Sequence, residues 1–226
     1  STYDSMGRGD TATDANGGVV KYFYDSMGRV LSEVAKNVTY TDPQTGDTVT
    51  QDVTTMSYTY DKRGNKLTQT DAEGNVTSYE YDALGRMTKQ TAPDNRVTTY
   101  EYDEVGQLVK TTDPLGNITT SVYNSGGKTT ASTDAGNYTT QYEYDGLGRV
   151  SKQINPDNTF ITYEYNKNGL VTKTTNELGF STSYTYDKNG QLLTTTDPLG
   201  GVTANEYDAA KRLVKTTDAL GNETTY

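Results

Sequence analysis

The side chains that could do chemistry in this 226-residue chain are carboxylates and phenols, because it contains no histidine and no cysteine. Their absence removes the commonest general base, the thiol nucleophile and the usual zinc ligands. The aspartates fall at a repeated place. Asp61, Asp82, Asp103, Asp145 and Asp187 each follow a tyrosine, and each lies three residues before Gly64, Gly85, Gly106, Gly148 or Gly190. Carboxylates can act as general acids and bases, and Asp-rich turns can offer several oxygens to calcium. A group needed at every turn is a turn residue before it is a catalyst: its side chain bonds the backbone two residues on, and the glycine supplies a positive φ. Neither the twelve-residue calcium loop with its closing Glu nor the glycine-rich nonapeptide occurs. We expect no catalytic residue, no metal, no cofactor and no enzymatic activity.

The elements that hold these turns are set by tyrosine. The second tyrosine of a Tyr-x-Tyr pair recurs at 60, 81, 102, 123, 144, 165, 186 and 207, every 21 residues, and Tyr3 and Tyr24 are also 21 apart. Six of the positions from 60 to 207 carry both tyrosines: Tyr58 with Tyr60, Tyr79 with Tyr81, Tyr100 with Tyr102, Tyr142 with Tyr144, Tyr163 with Tyr165, and Tyr184 with Tyr186. The step from Tyr24 to Tyr60 is 36, one repeat plus 15 residues. Such a period is the mark of a repeat architecture.

Each unit reads as two short strands and two turns. Thr98–Tyr102 is rich in β-formers, with Tyr100 and Tyr102 on one face. Asp103-Glu104-Val105-Gly106 closes a hairpin, Leu108–Thr112 returns, and Asp113-Pro114-Leu115-Gly116 is the second turn. No stretch shows helical periodicity. The expected fold is all-β, a continuous antiparallel hairpin ribbon of roughly twenty strands, on the order of 90 Å long at about 4.8 Å per strand.

The recurring Tyr-x-Tyr-Asp-x-x-Gly-Arg pattern, as in Tyr79-Glu80-Tyr81-Asp82-Ala83-Leu84-Gly85-Arg86, resembles the tyrosine–aspartate repeat family, also called RHS repeats, over essentially the whole chain. The resemblance implies a strip of β-hairpins that spirals into a hollow shell. Such shells encapsulate a toxic C-terminal domain in bacterial polymorphic toxins and insecticidal toxin complexes, and a related shell occurs in teneurins. It therefore implies a secreted or cell-surface location, bacterial origin, and an encapsulated toxin domain as partner. In that family a distinct C-terminal core region can cleave itself with aspartates. No segment here departs from the repeat enough to match it, so no catalytic residue carries over.

Composition bounds the rest. Only 31% of residues are hydrophobic, there is no Trp, and twenty tyrosines stand beside three Phe. One face of tyrosines and aliphatics is expected to be buried and the other wet. A net charge of −10 leaves no basic face for nucleic acid, and no run is apolar enough to enter a membrane. Asn37, Asn75, Asn117, Asn137 and Asn222 open glycosylation-type triplets, four of which fall out of the second-turn pattern. A Tyr- and Asn-lined surface also suits glycans, which keeps a carbohydrate-binding adhesin as the alternative to a structural scaffold, itself either part of a cargo-encapsulating shell or of an extracellular fibre built by continuing the same ribbon.

The domain reading is one array over 1–226 of about ten units. It is expected to be a fragment of a longer chain, with flanking repeats or identical subunits as partners. The extra 15 residues map to about 37–51 and predict one lengthened hairpin, an edge-covering flap or a partner contact, projecting roughly 23 Å at about 3.3 Å per residue. Asn95 and Asn158 stand where other turns carry Gly, Gly169 follows Asn168 in a strong turn, Lys211 replaces a turn glycine, and Ser125-Gly126-Gly127 predicts a loosened turn.

Overall fold

The computed structural model describes residues 1–226 as 21 β-strands with no helix. They fall into two compact units, Ser1–Asn117 and Ile118–Tyr226. The first holds β1 (Thr2–Tyr3), β2 (Gly9–Thr13), β3 (Val19–Tyr24), β4 (Val30–Thr41), β5 (Thr48–Tyr60), β6 (Lys66–Asp71), β7 (Val76–Tyr81), β8 (Met87–Thr91), β9 (Val97–Tyr102) and β10 (Leu108–Thr112). The second holds β11 (Ile118–Tyr123), β12 (Thr129–Thr133), β13 (Thr139–Tyr144), β14 (Val150–Ile154), β15 (Phe160–Tyr165), β16 (Val171–Thr175), β17 (Ser181–Tyr186), β18 (Leu192–Thr196), β19 (Val202–Tyr207), β20 (Leu213–Thr217) and β21 (Glu223–Thr225). Within each unit every strand pairs antiparallel with the next in sequence, giving an uninterrupted meander.

The two hairpins of a repeat differ in register. Tyr79 faces Gln90 but Tyr81 faces Met87, so the return strand carries one extra residue. The same shift recurs at Tyr102, Tyr144, Tyr165, Tyr186 and Tyr207. Apart from the lengthened β4–β5 hairpin, the hairpins on the opposite edge run in unbroken register, as in Lys89 with Thr99 and Thr91 with Val97. A bulge bends its strand and raises the local right-handed twist, and the same bulge recurs opposite the second tyrosine of each of these repeats.

Both edges use the same turn. The Asp82 N–H donates to the Arg86 carbonyl at 2.9 Å, and Gly85 N–H to the Asp82 carbonyl at 3.0 Å. Asp82 Oδ1 accepts from the Leu84 and Arg86 amides at 2.9 and 3.0 Å. This is a type I turn followed by a left-handed residue, with Gly85 at φ 82°. Asn95, Asn158 and Lys211 take that conformation at φ 64°, 67° and 67°, in place of glycine. The turn at Asn124 is not loosened. Asn124 Oδ1 accepts the Gly126 and Lys128 amides at 2.9 and 3.0 Å, because an amide oxygen replaces the carboxylate without moving the backbone.

The lengthened hairpin forms as expected from β4 and β5, closed by Asp42–Asp47. Its arms are not one straight ladder. Two residues, Lys36 and Asn37, lie between the pairs Ala35–Val53 and Val38–Gln51, opposite Asp52 alone. Asn37 is left-handed at φ 53°, and Lys36 ion-pairs with Asp52 across the kink.

The expectation of a buried face needs correction. No side chain in the chain is fully buried, and the paired tyrosines are half-buried. Nothing packs as a second layer on either unit, and sealing a sheet face takes one. The most exposed aliphatic side chains sit at turn tips, among them Leu84, Leu115, Leu147, Leu178, Leu199 and Leu220.

Candidate functional site

The recurrent polar residues converge on one arrangement that joins each hairpin to the next. Arg86 follows the turn glycine of one hairpin. Its Nε donates to Asp82 Oδ2 at 2.6 Å, its Nη1 donates to the carbonyl of Asp103 in the next turn at 3.1 Å, and its guanidinium carbon lies 4.8 Å from the Tyr102 ring centroid. Tyr102 completes the contact from the other side, donating its hydroxyl to the Met87 carbonyl at 2.9 Å. Arg8 over Tyr24, Arg29 over Tyr60 and Arg149 over Tyr165 repeat the stacking at 4.6, 4.7 and 4.4 Å. Stacking of this kind is worth about 0.5–1 kcal/mol at exposed sites.

The tyrosine hydroxyl bond is the more general half. Tyr81 donates to the Lys66 carbonyl at 2.9 Å, Tyr144 to Thr129 at 2.6 Å, Tyr165 to Val150 at 2.7 Å, and Tyr186 to Val171 at 2.8 Å. Tyr60 reaches Val30 at 2.8 Å across the insertion, so the lengthened hairpin leaves the repeat-to-repeat contact intact. Burial pushes the phenols of Tyr60, Tyr81, Tyr165 and Tyr186 above the ordinary value.

The first tyrosines, Tyr79, Tyr100, Tyr142, Tyr163 and Tyr184, stand two residues away along the same strands and are also half-buried. Tyr58 differs because its hydroxyl donates to Glu33 Oε1 at 2.7 Å. Burial, and then the Glu33 carboxylate, push it up to about 12. Lys66 lies between its ring and that of Tyr79, at 5.4 and 5.1 Å.

The aspartates are spent on their own turns. The backbone amide and guanidinium of Arg86 hold the Asp82 carboxyl below its ordinary value against the opposing cost of burial, and Arg149 does the same for Asp145. Asp61 Oδ2 takes the Asn65 amide at 2.8 Å. Asp103 and Asp187 hold the same turn amides, and Gly64, Gly106, Gly148, Gly169 and Gly190 are all left-handed. On the opposite edge Asn75, Asn117 and Asn222 donate their side-chain nitrogens to Asp71, Asp113 and Asp218 at 2.8–2.9 Å. The glycosylation-type triplets there are thus turn braces. The structure brings these aspartates into no common cluster: no three acidic side chains converge anywhere in the chain.

Sequence reasoning gave the arginine no role. Its recurrence immediately after the turn glycine, at 8, 29, 86 and 149, was the available signal. Departures in the last repeats, Gln191 for that arginine and Asn205 for the first tyrosine, mark a cavity of about 450 Å³ that the period alone did not reveal.

The RHS repeat family model matches residues 60–97, 88–118, 123–159 and 165–202, more than half of the chain. No curated protein matches the sequence. Among solved structures, the TcdB2–TccC3–Cdc42 crystal structure is similar with a TM-score of 0.67 at 16% identity, over 99% of this chain and 14% of that one. The Tc holotoxin pore of Photorhabdus luminescens gives 0.57 at 17% identity, over 98% and 15%. TcdB2–TccC3–TEV gives 0.55 at 18%, over 99% and 15%. The chain thus spans about one-seventh of the length of these proteins and shares their fold. It belongs to the RHS repeat family.

Proposed function

We propose that this chain is a non-catalytic structural scaffold, a β-repeat segment of a secreted or cell-surface bacterial protein whose full array walls off a cargo domain. The observation that carries this reading is the use of the recurrent polar groups: the aspartates are consumed in closing their own turns, and the arginine and second tyrosine in joining one hairpin to the next. What the repeats build is extent, and the bulge in each repeat gives that extent a consistent curl. Similarity in fold to the TcdB2–TccC3 proteins supports a toxin-type shell, with the encapsulated partner a toxin domain.

Two further features fit a segment that continues into a larger wall. The 21-residue period runs unbroken from Tyr60 to Tyr207, which supports one array over 1–226. Leucines at successive turn tips, such as Leu178, Leu199 and Leu220, stay exposed along one edge, and apolar rows of this kind mark surfaces that other protein covers. Electron microscopy of the native full-length protein tests the reading. Closed hollow particles are expected. Open filaments would replace the shell with a fibre, and turnover of any substrate by this segment would end the scaffold reading.

A further inference from the structure

In four repeats a guanidinium occupies one kind of niche. It lies between the turn aspartate of its own hairpin, the turn carbonyl of the next hairpin and the ring of the next second tyrosine; for Arg149 these are Asp145, the Asn166 carbonyl at 3.1 Å and Tyr165. In the hairpins around Asp187 and Tyr207 the same niche is built without its cation. Asp187 keeps the turn carboxylate, Asp208 keeps the turn carbonyl, and Tyr207 is docked by its hydroxyl on the Leu192 carbonyl at 3.1 Å. The residue after the turn glycine is Gln191, and its amide turns away to the Lys211 carbonyl at 3.1 Å. Asn205, in place of the first tyrosine, folds back onto the Leu192 carbonyl at 3.2 Å. The space left is the cavity of about 450 Å³ whose lining includes Asp187, Gln191, Asn205, Tyr207 and Asp208, with Glu206 and Lys211 also on its wall.

Other repeats of the same unit fill or dismantle this place. Lys128 puts its ammonium 5.7 Å from the Tyr144 ring centroid, and the hairpin before Tyr186 carries Asn166 and Leu170, with no carboxylate to attract a cation. Asp187 Oδ2 holds only a long bond from the Asn189 amide, 3.2 Å, and no ion pair. The Asp208 carboxylate is committed to Arg212 at 2.6 Å. Carboxylate, carbonyl and aromatic face thus stand in a guanidinium's arrangement around open space.

We propose that this niche binds the arginine side chain of a partner protein segment, supplying from outside the contact that Arg149 makes within the chain. A planar guanidinium can donate to the carboxylate and the carbonyl while its face lies on the ring, a combination that a lysine ammonium cannot reproduce. The chain's charge of −10 favours approach of a basic segment.

Titration of the full chain with N-acetyl-arginine methylamide, followed by NMR, tests this directly. Saturable shifts of the Tyr207 ring and the Gln191 side-chain amide are expected in the millimolar range. The neutral citrulline analogue should bind at least about tenfold more weakly. Gln191→Arg, which rebuilds the Arg149 arrangement, should keep the parent's β-spectrum and lose affinity for the probe by about tenfold or more. Equal binding of the arginine and citrulline probes, absence of saturation, or undiminished binding by Gln191→Arg would overturn the proposal.

Discussion

Arg86 and Tyr102 belong to different hairpins, yet the guanidinium carbon of one stands 4.8 Å from the ring centroid of the other. The bond from Arg86 to the Asp103 carbonyl and the bond from Tyr102 to the Met87 carbonyl cross the same junction in opposite directions. With no fully buried side chain in the chain, junctions of this kind and the strand ladders carry its cohesion. Stability then accumulates hairpin by hairpin.

Tyr102→Phe removes the hydroxyl bond while keeping the ring. The expected cost is about 1 kcal/mol, the usual net worth of an intramolecular hydrogen bond. Tyr100→Phe should cost less, because no backbone carbonyl depends on its hydroxyl. Urea denaturation of both variants, compared with the parent, measures the difference.

Turn chemistry was legible in the sequence because it is local. Asp82, Gly85 and Arg86 sit within one turn, so spacing alone places the aspartate acceptor and the left-handed glycine. The tyrosine and arginine partners were not legible. Tyr102 meets Met87 and Arg86 meets Asp103 only through the stagger between adjacent hairpins, which depends on the bulge opposite each second tyrosine. Burial was overestimated for a related reason: alternation tells which residues share a face but not whether anything covers it. Asn124 shows the converse, where an unusual turn sequence preserves ordinary geometry through one amide oxygen.

The insertion should be separable from the array. Tyr60 still bonds the Val30 carbonyl, and Ser32 still faces Ser57, as the uniform period requires. Replacing residues 36–54 with the Pro-Asp-Asn-Arg turn found at 93–96 restores the 21-residue spacing. Such a variant should keep the β-sheet circular dichroism and lose no thermal stability. Collapse of the fold would show that the long hairpin supports its neighbours.

Acid and alkali should act through different residues. Asp25, Asp82 and Asp145 are held below their ordinary values, so the unfolded chain takes up their protons first as pH falls. Their contribution is therefore present above the ordinary carboxylate range and is lost as pH drops through the lower folded values. Tyr58 has the opposite sign. Its neutral form is favoured in the fold, so its contribution is present below 10 and is lost as pH rises from 10.0 to about 12. Thermal melts across both ranges should show falling stability at each end, with the alkaline loss reduced in Tyr58→Phe.

Lys211 occupies a left-handed turn position at φ 67° that most repeats give to glycine. Lys211→Gly should stabilise the chain by roughly 0.5–1 kcal/mol, relief of strain partly offset by backbone entropy. A melting temperature equal to or below the parent's would mean that the lysine side chain makes a compensating contact.

A double-mutant cycle on Arg86 and Tyr102 probes the junction itself. Arg86→Leu and Tyr102→Leu, alone and combined, should give a coupling energy of about 0.5–1 kcal/mol by urea denaturation. Arg86→Leu combined with the remote Tyr60→Leu should be additive. Additivity of Arg86 with Tyr102 as well, their two losses simply summing, would mean that the arginine does not clamp one hairpin to the next.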